Sequence, residues 1–173
     1  MPAWSGRWNR ADIGAAGTML TMTTIINGID ELKAAVGTHL GYSDWMTITQ
    51  ERVNQFADAT GDHQWIHVDV ERAKAESPFG GPIAHGYLTL SLAPALVPEI
   101  VRVEGFSMGV NYGTGKVRFP SPVPVGAKLR AGAELADVTH VNGGVQLQMN
   151  LTFEVEGAPK PACVAEAIYR YLV

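Results

Sequence analysis

At 173 residues and 18.5 kDa the chain suits one domain and has no room for two enzymatic ones. Hydrophobic residues at 46% against 17% charged exclude a disordered chain, and a net charge of -4 denies nucleic acid the positive field its phosphates need. The single Cys163 rules out an intrachain disulfide and a cysteine-built zinc site, which fits a reducing cytoplasm, and no run reaches the roughly 18 apolar residues that span a bilayer, so neither nucleic acid nor membrane is an expected partner.

Residues 1–23 show no sustained period of 2 or 3.6 and read as an accessory arm. Met19 and Met22 offer alternative starts, and Arg7 and Arg10 lack the apolar run of a signal peptide behind them. The folded domain is expected over residues 24–173. Ile29, Leu32 and Val36 after Asn27 predict a first helix, and Ser43–Ile48 a short strand. Thr49 then caps a second helix with Val53, Phe56 and Ala57 on its apolar face; Gly61 stops it and delivers Asp62 to a sharp turn. A short helical segment follows at Val70–Glu76. Residues 85–98, HGYLTLSLAPALVP, are apolar around most of a helix circumference and predict a buried helix that Pro94 bends. Alternating runs at Val101–Tyr112, Gly115–Phe119, Ala127–Thr139, Val145–Val155 and Ala162–Tyr171 predict antiparallel strands. Helices segregated before strands give an α+β domain, in which a curved antiparallel sheet wraps around the buried helix.

Two clusters carry chemistry. In GDHQWIH, residues 61–67, Asp62 and His67 stand five residues apart across a turn and can converge on one water, one accepting a proton while the other donates, with no cofactor. The competing reading makes Asp62 a turn or cap residue and His67 a core histidine. In GGPIAHGYL, residues 80–88, Gly86 lacks a Cβ, so a ligand can approach its backbone, and its amide is one of the unpaired donors at a helix start. That amide would face negative charge developing on a carbonyl oxygen. A plain helix start with His85 beside the cap is the alternative. His63 and His67 at i, i+4, with Asp62, Asp69 and His85 near, raise a metal hydrolase, but the pair straddles a turn and no third ligand has convincing spacing, so no metal is expected.

Residues 56–92, FADATGDHQWIHVDVERAKAESPFGGPIAHGYLTLSL, resemble the MaoC-like or (R)-specific enoyl-CoA hydratase family. Phe56, Gly61, Asp62, His67, Ala73, Pro82, Ile83, His85 and Gly86 fall on that family's pattern. VRFPSPVPVGAKLR at 117–130 resembles its Phe-x-x-Pro-Val-x-x-Gly strand turn, so the likeness spans about residues 40–172. Two departures stand out: Gln64-Trp65 replaces the usual Asn-Pro, and Pro94 occupies a place where some relatives carry a small polar residue.

The resemblance implies a single hot-dog domain that reversibly adds water to a trans-2-enoyl-CoA to give the (R)-3-hydroxyacyl-CoA. Asp62 and His67 would be the acid/base pair and the Gly86 amide would hold the thioester oxygen. Coenzyme A would enter as part of the substrate and no separate cofactor is implied. A homodimer with sheets joined across the interface is implied too, and a role in fatty acid metabolism. Gln64 and His85 are expected substrate contacts. Trp65, Phe79, Tyr87 and Tyr112 either line an acyl tunnel or pack in the core, and Lys116 and Arg118 either meet the coenzyme A phosphates or are solvated strand charges. A hot-dog thioesterase and a non-catalytic acyl-CoA binding module are the alternatives within this reading.

Overall fold

A computed structural model describes residues 23–173. The expected arm thus lies outside the described residues except for Thr23, whose hydroxyl donates to the Glu99 carbonyl at 2.9 Å. The chain enters through strand β1 (Thr24–Asn27) and helix α1 (Gly28–Ala34), which buries Leu32. The predicted first helix is therefore present but stops short of Val36, which is exposed, and Gly37 at φ +81° turns the chain away. Strands β2 (His39–Tyr42) and β3 (Met46–Thr47) come next. The strand expected at Ser43–Ile48 is shifted and interrupted for a visible reason. The Ala131 amide bonds to the Ser43 hydroxyl at 2.9 Å, so a side chain takes the place of the strand's own carbonyl.

Helix α2 (Gln50–Thr60) has the expected caps: the Thr49 side chain accepts from the Arg52 amide, and Gly61 at φ +78° donates to the Ala57 carbonyl at 2.8 Å. A single turn, α3 (Trp65–Val68), and helix α4 (Val70–Glu76) follow, the latter capped by the Asp69 carboxylate, which accepts from the Arg72 amide. The cap of that helix is thus Asp69, and Asp62 is free for another task.

The apolar run forms two helices, α5 (Gly86–Ser91) and α6 (Ala93–Ile100), broken at Leu92. Pro94 explains the break, because it has no N–H for the Leu90 carbonyl and belongs in the first turn of a new helix. One buried stripe still crosses the break: Leu88, Thr89, Leu92, Ala93, Leu96, Val97 and Ile100.

The remaining strands are β4 (Val101–Glu104), β5 (Met108–Arg118), β6 (Lys128–Val141), β7 (Gly144–Val155) and β8 (Cys163–Leu172). The run expected at Val101–Tyr112 is split by Gly105 at φ +84°, and β5 continues to Arg118 through the expected gap. The larger sheet has the order β2-β6-β7-β8-β5, with β3 also on β6, and its pairings are antiparallel. The expectation of antiparallel strands throughout fails at one place: β1 and β4 form a small parallel pair. Strict alternation puts Leu129, Ala131, Ala133 and Leu135 of β6, Val145 to Phe153 of β7, and Cys163, Ala165 and Ala167 of β8 on one buried face. The alanines leave room for α5 and α6, which pack on β8 and β6. Register shifts within β5 and β6 bend those strands, as a sheet wrapped on a helix requires.

Space around Gly61 is open, so a methyl group there meets no neighbour and only the left-handed backbone resists it. Gly61→Ala should cost about 1–2 kcal/mol, read as a lower urea midpoint with an unchanged denaturant slope.

Candidate active site

Three local structures bring the site together. The end of α2 places Asp62 immediately after the left-handed Gly61. The turn α3 then carries His67. Gln64, at φ -57° and ψ 133°, leads into Trp65 at the first helical position, so the turn forms without the proline of the resembling family. The third piece, Pro82–Gly86, is pinned on both sides. The Ile83 amide donates to the Ile66 carbonyl at 3.1 Å, the Ala84 amide to the Val123 carbonyl at 2.8 Å, and the Val125 amide to the Pro82 carbonyl at 3.0 Å.

His67 is buried and its Nδ1 lies 2.7 Å from the Ile83 carbonyl oxygen. A carbonyl only accepts, so Nδ1 carries the proton and Nε2 presents its lone pair. Burial is the main cause that holds this imidazole below its ordinary pKa of 6.5; the neighbouring His85 adds to the effect, while the bond to Ile83 and the charge of Asp62 oppose it. His67 is therefore a neutral base at physiological pH. Asp62 keeps an exposed side chain, and ligand atoms of Asp62, His67 and His85 lie within 4.8 Å of one another. One water hydrogen-bonded on both sides spans such a gap.

His85 departs most from expectation. It is 3% exposed, and neither it nor Asp62 is among the residues that line the cavity beside His67. Its ring stacks on His67 at 3.8 Å between centroids and 28° between planes, and its Nε2 lies 2.9 Å from the Asp62 main-chain oxygen. The stacking also bears on the metal reading. In-plane lone pairs of two stacked rings run side by side, whereas a tetrahedral ion needs them to converge, and one nitrogen of each ring already donates to a carbonyl.

A cavity of about 320 Å³ opens beside His67 and is lined by Gly86, Thr89, Phe79, Phe119 and Ala162 among others. Gly86 is the first residue of α5, where the amide has no intrahelical partner. A Cβ on Gly86 would stand 3.0 Å from the Phe119 ring, so glycine keeps both the ring and the approach to the amide. Tyr87 is 71% exposed and meets Phe119 edge-on at 5.8 Å, beside the cavity. Phe79 and Tyr112 are exposed as well, so none of these three is a core residue. Trp65 is half-buried under the Arg72 guanidinium, and Tyr112 lies under that of Arg170. Gln64 is exposed, its carbonyl accepting from the His67 amide.

Lys116 and Arg118 line a different hollow of about 200 Å³ with Asn150, Thr152 and Glu166. A larger one, about 590 Å³, lies by Trp45, Arg130 and Lys160 and holds none of the residues singled out from the sequence. Sequence reasoning missed Gln50, whose side-chain amide donates to the His67 carbonyl at 2.7 Å and to Asn54 at 2.8 Å, tying α3 to α2. Its place in the first turn of a helix gave no such signal.

The lowered His67 pKa has a consequence for stability. The folded state resists protonation there, so this contribution is complete above pH 6.5 and declines as the pH falls toward the lowered value. Unfolding free energy measured from pH 8 down to 5 should fall on the acid side of about 6.5, and His67→Gln should flatten that part of the curve.

Known proteins resemble this chain in sequence and in fold. Residues 31–156 match the family described as MaoC like domain. The chain is 57% identical over 145 residues, 83% of its length and 95% of the relative's, to 3-hydroxyacyl-thioester dehydratase Z of Mycobacterium tuberculosis. It is 44% identical over 142 residues to Nodulation protein N of Rhizobium meliloti, covering 81% of this chain and 88% of that protein. Among solved structures, a monoamine oxidase regulatory protein from Archaeoglobus fulgius superposes with a TM-score of 0.71 at 24% identity, covering 87% of this chain and 99% of that one. An (R)-hydratase from A. caviae superposes at 0.63 and 22% identity, covering 77% and 96%. These likenesses fix the hot-dog architecture, and the sequence match goes further: the chain belongs to the MaoC-like domain family.

Proposed function

We propose that the protein is a hydro-lyase that reversibly adds water to a trans-2-enoyl-CoA, giving the (R)-3-hydroxyacyl-CoA. The observation that carries this reading is the neutral, buried His67 with its Nε2 lone pair free, within a water's reach of Asp62 and on the same cavity as Gly86. In the hydration direction a water held by the pair gives its hydroxyl to C3 while His67 takes the proton. That proton returns to C2, so one water supplies both new bonds from one face of the alkene. Charge pushed through C2 gathers on the thioester oxygen, where the Gly86 amide meets it. The same groups run the dehydration backward. The chemistry needs only these residues and the substrate, so no separate cofactor is assigned.

Lys116 and Arg118 take part in no ion pair among the described residues and suit the phosphates of coenzyme A. Tyr87 and Phe79 suit the entrance for the acyl chain. A homodimer completes the reading. Among the described residues strand β5 pairs only with β8 and leaves its other edge open, and Met108 and Tyr112 on it are more than half exposed. Light scattering at micromolar concentration should give the mass of two chains.

The reading is tested with crotonyl-CoA, following loss of the enoyl absorbance and the handedness of the product. Wild type should give the (R) alcohol, and Asp62→Asn and His67→Gln should each lose at least about a hundredfold in kcat. An (S) product, full activity in both variants, or release of free thiol in place of hydration would overturn it.

A further inference from the structure

We infer that His85 is a positioning residue: it holds the catalytic loop through its Nε2–H on the Asp62 carbonyl and seats the His67 ring by stacking on it. The kinetic part of this rests on the hydratase reading; the geometry does not. The Asp62 oxygen 2.9 Å from Nε2 belongs to the main chain, which only accepts, so His85 is the Nε2–H tautomer. His67 is the opposite one, with its proton on Nδ1 toward Ile83. Two stacked rings thus hand their protons to two different carbonyls, one on each side of the site. Phe56 closes the other side of His85 at 5.0 Å between ring centroids.

The remaining nitrogen makes the choice of histidine informative. Nδ1 of His85 is buried with no hydrogen-bond partner among the described residues, a condition that costs stability. A phenyl ring would fill the same space without that cost. What histidine adds is the bond to Asp62, and that bond fixes the residue whose carboxylate faces the water. His85 is 3% exposed and its Nε2 is committed to the Asp62 carbonyl, so what it does for the reaction goes through Asp62 and His67. Asp62, from the loop before α3, and His85, at the start of α5, are the titratable groups acting on His67, and His85 is the one of the two that helps keep it neutral.

Nitrogen-15 spectra of the full-length wild-type protein give both tautomers without any variant or substrate. Nε2–H at His85 with Nδ1–H at His67 is expected, and a proton on Nδ1 of His85 would overturn the inference. Two substitutions separate the ring from the donor. His85→Phe keeps a ring and loses the N–H; it should shift the Asp62 amide resonance and lower kcat about a hundredfold with KM unchanged, the scale of a misplacement of about 1 Å. His85→Gln returns a donor at similar reach; it should restore the Asp62 amide position and most of kcat. Unchanged kcat in His85→Phe, or a raised KM at constant kcat, would sink the assignment. If wild type proves to have no hydratase turnover, the function fails, yet the tautomers and the Asp62 and His67 resonances still decide the role of His85.

Discussion

The stripe on α5 and α6 has one place to go. Leu88, Leu92, Leu96 and Ile100 recur every four residues with Thr89, Ala93 and Val97 beside them, and the inner sheet face answers with Ala131, Ala133, Ala165 and Ala167. Large side chains on the helix meet small ones on the sheet, so the two surfaces approach closely. Each buried leucine contributes about 1.5–3 kcal/mol relative to exposure, and sliding the helix would surrender several at once. The start of α5, with His85 and Gly86, is therefore a fixed point set by the core and not by the loop leading into it. The loop that carries Asp62 and His67 must be brought to that point, and the hydrogen bonds of Ile83, Ala84 and His85 do so.

At the site itself the division of labour follows exposure. His67 is withdrawn from solvent, which favours its uncharged form, and its orientation is fixed by a main-chain oxygen. Asp62 keeps its side chain exposed and is anchored through its backbone; its Oδ1 accepts a long contact of 3.4 Å from the Gln64 amide and its Oδ2 lies 4.0 Å from Nε2 of His85. One partner is tuned and the other is accessible. A reaction that admits water as a reactant needs both, because a fully dry pair would exclude the molecule to be added.

Much of this was legible in the residues. Thr49 and Gly61 marked the ends of α2, the Asp62 and His67 spacing marked the turn, and Pro94 marked the break between α5 and α6. Alternation drew β6, β7 and β8 nearly to the residue. What escaped were features with no side-chain signature. The parallel pairing of β1 with β4 joins segments far apart in the chain, and nothing in TIIN announces a partner. The Ser43 hydroxyl standing in for a strand carbonyl looks like any strand serine. The bond from His85 to Asp62 escaped because its acceptor is a peptide oxygen, and a peptide oxygen is present at every position. The exposure of Phe79, Tyr87 and Tyr112 escaped as well, since composition alone cannot tell an aromatic in the core from one at a rim.

Cys163 opens strand β8 from the fully buried face, and burial pushes its thiol up to about 12. A sulfur nucleophile near an acyl thioester invites transacylation, in which the enzyme captures the acyl group as its own ester of sulfur and frees the carrier. Only the thiolate attacks, and in this setting it is scarce and walled off. The sole sulfhydryl of the chain is thereby kept from becoming a dead-end acceptor of the cargo the protein handles.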